Sequence, residues 1–227
     1  MLLLAIDTSG KHGSVALARV GERSPDRDLE LVETAPLVGG TFSAQLVPQI
    51  ATLLSRHGIA KGDLDAFVVA SGPGSFTGLR IGLAAVKALA EVLHKPIAAV
   101  SLLEVCAFTS GQEGQIMAVL DAGRNEVYVG EYELPAKPSR PPREHLLSRS
   151  EFLAQARGCK IVTPDSVLAE VAREAGLSVS TLPSVSAAAV AGLGWRKIRS
   201  GEIVTAEQLE ANYIRRTDAE MLERLGS

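Results

Sequence analysis

The sequence predicts an α/β fold in which buried strands alternate with amphipathic helices. Hydrophobic residues make up 46% of the 227 residues and charged residues 22%, which is typical of a globular protein. Aromatic residues contribute only 4%, so the core must be largely aliphatic. An apolar run followed by an Asp-containing turn and a second apolar run occurs near residue 2 and again near residue 115, which indicates a weak internal repeat.

The first hundred residues predict five strands and two helices. Continuous or alternating apolar runs favour strands, and apolar residues spaced at i, i+4, i+7 and i+8 favour a helix. The strands are predicted over 2–6, 14–20, 29–35, 66–70 and 97–100. The helices are predicted over 43–57 and from a glycine-rich turn at 71–78 to about 94, where Lys95-Pro96 ends the second one.

The second half repeats this alternation with shorter elements. Helices are predicted over 101–110, 151–156, 166–175 and 186–199, and strands over 115–120, 126–134 and 160–162. The segment 135–142 contains four prolines and predicts an exposed loop or linker. The charged tail from 207 to 225 is predicted to end in a helix.

Charge, cysteine usage and hydropathy limit the classes of function. A net charge of −3 argues against a generally basic nucleic-acid-binding surface. Cys106 and Cys159 form no C-x-x-C pair, which is typical of a reducing compartment. No apolar stretch reaches the roughly 20 residues that span a bilayer, and Asp7 interrupts the first apolar run. We therefore expect a cytoplasmic protein that does not enter a membrane.

The predicted helix after the glycine-rich turn has more apolar surface than one sheet can cover. On a helical wheel its ionisable side chains share one narrow stripe: Arg80, Lys87, Glu91 and His94. A helix that covers a sheet needs an apolar stripe of only somewhat more than about 100°. This helix has over twice that width.

Three small residues, Gly78, Gly82 and Ala85, lie opposite the charged stripe of this helix. A glycine inside a helix costs about 1 kcal/mol relative to alanine, so two of them indicate a close packing contact. The contact is either within the chain, against a second lobe or the helix at 43–57, or with another chain. Both alternatives stay open from the sequence.

No standard catalytic or nucleotide motif is present. The segment from Gly72 to Gly78 lacks the lysine of a Walker A loop, and its third glycine comes one residue too late for the dinucleotide fingerprint. The histidines include no pair three or four residues apart that could bind a metal from one helix. Asp7 and Asp121 each follow an apolar strand, where α/β proteins often bind ligands, although each could simply cap a turn.

Four segments resemble one known family. Residues 6–9 and 14–17 (I-D-T-S and S-V-A-L) resemble the opening of the actin/Hsp70/sugar-kinase (ASKHA) fold. Residues 71–82, S-G-P-G-S-F-T-G-L-R-I-G, closely match the signature of the TsaB (YeaZ) family. Residues 121–128 and 212–215 look like two further segments of that family.

The resemblance implies a two-lobed ASKHA fold with ribonuclease H-like lobes. Residues 1–100 would form the N-terminal lobe, with a C-terminal helix at about 205–227 packed on it, and 101–204 a smaller second lobe. The implied function is a non-catalytic scaffold that supports the catalytic subunit TsaD, together with the ATPase TsaE, in transferring threonylcarbamoyl to adenosine 37 of ANN-decoding tRNAs. The resemblance implies a homodimer when the protein is alone, and only indirect or weak contact with tRNA.

The resemblance also implies two sets of site residues, and neither a metal nor a cofactor. The catalytic relative's H-x-x-x-H motif is missing. An interface with TsaD or a second copy would involve Leu46, Ile50, Phe76, Thr77, Gly78, Leu79, Ile81, Gly82, Ala85, Val86 and Leu89. A vestigial nucleotide cleft would involve Asp7, Thr8, Ser9, Asp121 and Arg124. The alternative function is an ASKHA-type small-molecule kinase or ATPase, which would bind ATP in that cleft.

Overall fold

Two five-stranded sheets form the framework of the protein. The structure is a computed structural model that describes residues 1–21, 29–38, 41–135 and 142–215. The first sheet and its helices comprise β1 (Leu2–Asp7), β2 (Gly13–Val20), β3 (Leu29–Leu37), α1 (Phe42–Arg56), β4 (Ala66–Gly72), α2 (Phe76–Leu93), β5 (Ile97–Ser101) and α3 (Leu102–Thr109), with a short 3-10 turn at Lys61–Asp63.

The second sheet repeats the first element by element. It comprises β6 (Gly114–Gly123), β7 (Glu126–Leu134), β8 (Arg143–Ser148), α4 (Arg149–Gln155), β9 (Lys160–Thr163), α5 (Ser166–Glu174), β10 (Val179–Thr181) and α6 (Ala187–Ser200). The strand orders are β3-β2-β1-β4-β5 and β8-β7-β6-β9-β10. In both sheets the first three strands pair antiparallel and the last two pair parallel. The predicted internal repeat is therefore confirmed and extends over both halves of the chain.

The first sheet is covered on both faces, which explains why β1 reads as a continuous apolar run. Leu4 and Ile6 face a core cluster that includes the buried sides of α1 and α2. Leu3 and Ala5 face a second cluster, to which α6 contributes. Since successive side chains of a strand point to opposite faces, a central strand buried on both sides must be apolar at every position.

The third helix of each half packs beyond its own sheet. α3 follows the first sheet and packs on β6 and β7, whereas α6 follows the second sheet and packs on β1, β2, β4 and β5. The prediction placed α6 with the smaller lobe at 101–204, and this placement is wrong because its apolar side lies on the first sheet. The two lobes are thus interleaved through α3 and α6.

The C-terminal helix predicted at about 205–227 does not form in the part of that range that the structure describes. Residues 201–215 form no helix, and 216–227 lie outside the described residues. Val204 instead forms an antiparallel bridge with Ile97, and Leu209 is buried in the first core cluster. We refer to residues 204–215 as the C-terminal strap.

The other sequence predictions agree in kind with the structure and differ mainly at element ends. β8 and β10 were not predicted, because each is a short edge strand whose residues are mostly half-buried. Most of the predicted proline-rich loop, residues 136–141, lies outside the described residues. Within the described part of the chain, no helix is both long enough and apolar enough to cross a membrane.

Candidate functional site: the cleft between the lobes

A cleft of about 870 Å³ lies between the two lobes. Its walls come from the turn after β1, the start of α2, the turn between β6 and β7, and the C-terminal strap. The structure brings three of the predicted cleft residues to its surface, namely Ser9, Asp121 and Arg124. Asp7 and Thr8 lie beneath that surface, each only 3% exposed.

The Asp7 carboxylate is engaged by its own turn. Its Oδ1 accepts hydrogen bonds from the backbone N–H of Ser9 at 2.9 Å and from the Ser9 hydroxyl at 2.5 Å. Burial raises the pKa of Asp7, although the two bonds from Ser9 act in the opposite direction. Of the two roles that the sequence left open for Asp7, ligand binding or turn capping, the structure shows turn capping.

The loop before α2 fills the space in front of this turn. The Ser75 backbone N–H donates to the Ser9 carbonyl oxygen at 2.6 Å. A Cβ atom added to Gly74 would lie 2.6 Å from the same oxygen, so the backbones could not approach so closely with any other residue there. The floor of the cleft is thus closed by the protein's own backbone.

The two helical glycines of α2 pack against the end of β1. Thr8 Oγ1 donates to the Gly78 carbonyl oxygen at 2.7 Å. A Cβ atom on Gly78 would lie 2.0 Å from the Thr8 carbonyl oxygen, and one on Gly82 would lie 2.5 Å from Thr8 Oγ1. The close contact predicted from these glycines is therefore within the chain, and its partner is β1, not the second lobe or the helix at 43–57.

The second-lobe wall of the cleft carries charged side chains. Asp121 is exposed at the end of β6, and Arg149 Nη2 lies 3.4 Å from its Oδ1. Arg124 occupies the turn between β6 and β7 with φ 53°, a left-handed backbone conformation, and its side chain is exposed. Lys11 adds a third exposed charge from the first lobe.

The C-terminal strap joins both lobes at the cleft. The Asn212 backbone N–H donates to the Ser71 carbonyl oxygen at 2.7 Å, and its side-chain amide donates to Glu144 Oε2 at 2.5 Å. Arg215 forms an ion pair with Glu126 of β7. Residues 212–215 resemble a family segment in sequence, but that resemblance assigned them no role.

An aromatic pair stands at the mouth of the cleft. The ring centroids of Phe76 and Tyr213 are 5.0 Å apart. Arg80 places its guanidinium carbon 3.7 Å from the Phe76 centroid, and its Nε donates to the Tyr213 hydroxyl at 3.3 Å. Tyr213 nevertheless remains 42% exposed. Sequence spacing could not have revealed this cluster, because Tyr213 is 133 residues from Arg80.

The predicted partner-interface residues fall into two groups. Buried inside the chain, and so unable to contact a partner on this surface, are Leu46, Ile50, Gly78, Leu79, Gly82 and Val86. This part of the prediction is wrong because these side chains and glycines serve the core of the first lobe. At least partly accessible are Phe76, Thr77, Ile81, Ala85 and Leu89.

Exposed apolar side chains that were not in the predicted set lie on the same two helices. Val92 of α2 is 71% exposed and Val47 of α1 is 61% exposed, and Ala84 and Ala88 of α2 are also exposed. We call these four residues the outer helix face. α1 and α2 contact one another and cover the same core cluster.

A second cavity of about 560 Å³ lies where α3, α6 and β7 meet. Lys197 pairs there with Glu104 at 3.0 Å and with Glu202 at 3.5 Å. Arg196 lies over the Phe108 ring at 4.5 Å, and Arg199 also lines the cavity. Among the described residues, no group of three or more His, Cys, Asp or Glu side chains could hold a metal ion.

Comparisons with known proteins agree with the resemblance drawn from the motifs. Residues 37–192 match the family model described as TsaD, tRNA N6-adenosine threonylcarbamoyltransferase. The chain is 39% identical over 134 residues to the tRNA threonylcarbamoyladenosine biosynthesis protein TsaB of Bacillus subtilis, covering 59% of this chain and 56% of that protein. It is 32% identical over 136 residues to TsaB of Escherichia coli, covering 59% of this chain and 55% of that protein.

The fold agrees over almost the whole chain with a solved structure. YeaZ from Pseudomonas aeruginosa superposes with a TM-score of 0.72 at 26% identity, covering 93% of this chain and 99% of that one. The aligned region spans somewhat more than half the length of the curated relatives. The family model covers well over half of this chain, so the chain belongs to the TsaD family, within which its named relatives are TsaB and YeaZ proteins.

Proposed function

We propose that the protein is a non-catalytic scaffold subunit of the complex that transfers threonylcarbamoyl to adenosine 37 of ANN-decoding tRNAs. In this role it binds and supports a TsaD-like catalytic subunit together with a TsaE-like ATPase, in the cytoplasm. The observation that carries the proposal is the likeness to proteins named for tRNA threonylcarbamoyladenosine biosynthesis.

The outer helix face supports the proposed pairing. Valine side chains exposed to 61% and 71% on neighbouring helices are apolar surface that a protein partner can bury. The accessible members of the predicted interface, Ile81, Ala85 and Leu89, lie on the same helix α2. We propose that this face binds the catalytic subunit, and that it forms a homodimer when the protein is alone.

The closed cleft floor supports a non-catalytic role over the alternative of a small-molecule kinase or ATPase. In that alternative the turn at Asp7, Thr8 and Ser9 would hold phosphates. Here the Asp7 carboxylate accepts hydrogen bonds from Ser9, and the Ser9 carbonyl oxygen accepts one from the Ser75 backbone N–H. We therefore propose that the chain needs neither a nucleotide nor a metal of its own.

Copurification with a TsaD-like subunit tests the pairing. We expect wild-type protein to retain that subunit and Val92→Arg to lose it, because a charge buried in an apolar interface is costly to desolvate. Val167→Arg is the matched control, since Val167 is a 56% exposed valine on α5 in the other lobe. Both variants should unfold at the wild-type temperature.

A modification assay with the reconstituted components tests the scaffold role. Omitting this chain should abolish formation of threonylcarbamoyladenosine, and the chain alone should form none. Failure of the wild type to copurify with the subunit, together with full modification in its absence, would contradict the proposal.

A further inference from the structure

The C-terminal strap passes from one lobe to the other at Asn212. Before that residue, Leu209 is buried in the core cluster beneath α1 and α2. After it, Ile214 packs against the cluster between α3 and the second sheet. The strap therefore has two parts: a base, residues 204–209, on the first lobe, and an end, residues 212–215, that reaches the second lobe.

The base of the strap is attached to the first lobe like a strand of its sheet. The Val204 backbone N–H donates to the Ile97 carbonyl oxygen at 2.8 Å, and the Ile97 N–H donates to the Val204 carbonyl oxygen at 3.1 Å. Leu209 is only 1% exposed. Because release of the base would break sheet hydrogen bonds and expose a core leucine, we expect it to open only when the first lobe unfolds.

The end of the strap is held mainly by polar contacts. The Asn212 backbone N–H donates to the Ser71 carbonyl oxygen at 2.7 Å, and its side-chain amide donates to Glu144 at 2.5 Å. The ion pair between Arg215 and Glu126 is half-buried, with side chains 21% and 37% exposed. Segments with partly exposed polar contacts belong to the least stable parts of a fold, so the end can open at a lower free energy than the base.

The end of the strap covers the carboxyl end of β4. All four of its residues line the cleft. A Cβ atom on Gly72, the last residue of β4, would lie 2.7 Å from the Asn212 carbonyl oxygen, so the two backbones are in direct contact. The Tyr213 ring lies against Phe76 at the start of α2. Since α/β sheets bind ligands outside the carboxyl ends of their strands, the end of the strap restricts access to that region.

We propose that residues 212–215 are a lid on the cleft, which detaches as a unit while residues 204–209 stay in place. Detachment breaks the polar contacts and the ring contact described above, uncovers the end of β4 and enlarges the cleft. The hinge is at residues 210 and 211, between the two anchored parts. This inference goes beyond the proposed function and does not depend on it.

Hydrogen exchange measured by NMR on the full chain tests the lid. The Asn212 amide reports on the end of the strap, because it donates to Ser71, whereas the amides of Val204 and Ile97 report on the base. In the wild type we expect the Asn212 amide to exchange about tenfold faster or more than the other two, since local opening costs less than unfolding of the lobe. It should still exchange more slowly than an amide in an unstructured peptide.

A double variant, Tyr213→Leu with Arg215→Gln, weakens the closed lid. It should speed exchange of the Asn212 amide about tenfold, because the aromatic contact and the ion pair are lost only from the closed form. Exchange at Val204 and Ile97 should not change. The matched control is Tyr213→Phe with Arg215→Lys, which keeps the ring and the charge and should exchange as the wild type does.

Four results would overturn the proposal. If the wild-type Asn212 amide exchanges as slowly as those of Val204 and Ile97, the end opens only with the whole lobe. If it shows no protection, the end is not closed in solution. Equal acceleration of all three amides in the double variant would show general destabilisation instead of lid opening. No acceleration at Asn212 would show that these contacts do not hold the lid.

Discussion

Thr8 is the residue around which the first lobe and its longest helix fit together. Its side chain donates to the Gly78 carbonyl oxygen, and its own carbonyl oxygen and hydroxyl occupy the places of the missing side chains at Gly78 and Gly82. The glycine-rich segment that first suggests a phosphate loop therefore lets the backbone of α2 pack closely against the backbone at Thr8.

Gly78→Ala should lower the free energy of unfolding by about 2 kcal/mol or more, because its Cβ would lie 2.0 Å from the Thr8 carbonyl oxygen. Denaturant unfolding measures the change. The matched control is Gly192→Ala in α6, where the nearest atom to a new Cβ is 3.9 Å away. That substitution should raise stability by up to about 1 kcal/mol, the ordinary helix preference for alanine. Equal effects at the two sites would contradict this account.

At the scale of elements, the C-terminal strap is the segment that ties the lobes together. It contacts the first lobe through Val204, Leu209 and the backbone of Asn212, and the second lobe through the Asn212 amide and Arg215. These contacts lie on both sides of the cleft, and Asn212 and Arg215 also line it.

Asn212→Asp tests this element with a nearly isosteric change. The variant removes the amide donor and puts a carboxylate against Glu144, so we expect a loss of about 2 kcal/mol in unfolding free energy at neutral pH. Part of the loss should be recovered as the pH falls, because one of the two adjacent carboxyls then takes up a proton and can donate to the other. Thermal unfolding over a pH series measures both effects.

Glu210→Asp is the control for the strap experiment, since Glu210 is an exposed residue of the same segment. It should unfold as the wild type does at every pH. No loss in Asn212→Asp would argue that the Asn212–Glu144 contact does not matter, and a loss that is independent of pH would argue against repulsion between the two carboxylates.

At the scale of the whole molecule, the two halves repeat one α/β unit, but their helices cover different faces. The interleaved helices α3 and α6 bury the faces between the sheets. α1 and α2 instead cover the far face of the first sheet and leave the outer helix face uncovered within the chain. The surface proposed for partners thus lies on the side of the first lobe away from α6.

Light scattering at increasing concentration tests self-association through this surface. We expect the isolated wild type to shift towards twice its mass as concentration rises, since an apolar face is removed from water in the dimer. Val92→Glu should remain at the monomer mass, whereas Val167→Glu on α5 should follow the wild type. A wild type that stays monomeric at all concentrations would contradict the proposed homodimer.

The sequence by itself determined the α/β class, nearly all of the elements and the family. Continuous apolar runs mark strands buried on both faces, as in β1 and β4, and a local pattern is enough to recognise them. The wide apolar circumference of α2 correctly indicated that this helix has more apolar surface than its sheet covers, as the exposed Val92 shows. β8 and β10 were not predicted, because a short, half-buried edge strand has no strong periodicity of apolar residues.

Tertiary structure decided which neighbour each surface meets. The glycines of α2 face Thr8, about 70 residues earlier in the chain, and α6 packs on the sheet of the other half. Asp7 and Asp121 look alike in sequence, yet one is buried in its own turn and the other is exposed at the cleft. The local sequence pattern indicates how much surface a residue must bury. Which residue it packs against is set by contacts between residues far apart in the sequence. The cleft is formed by such long-range contacts.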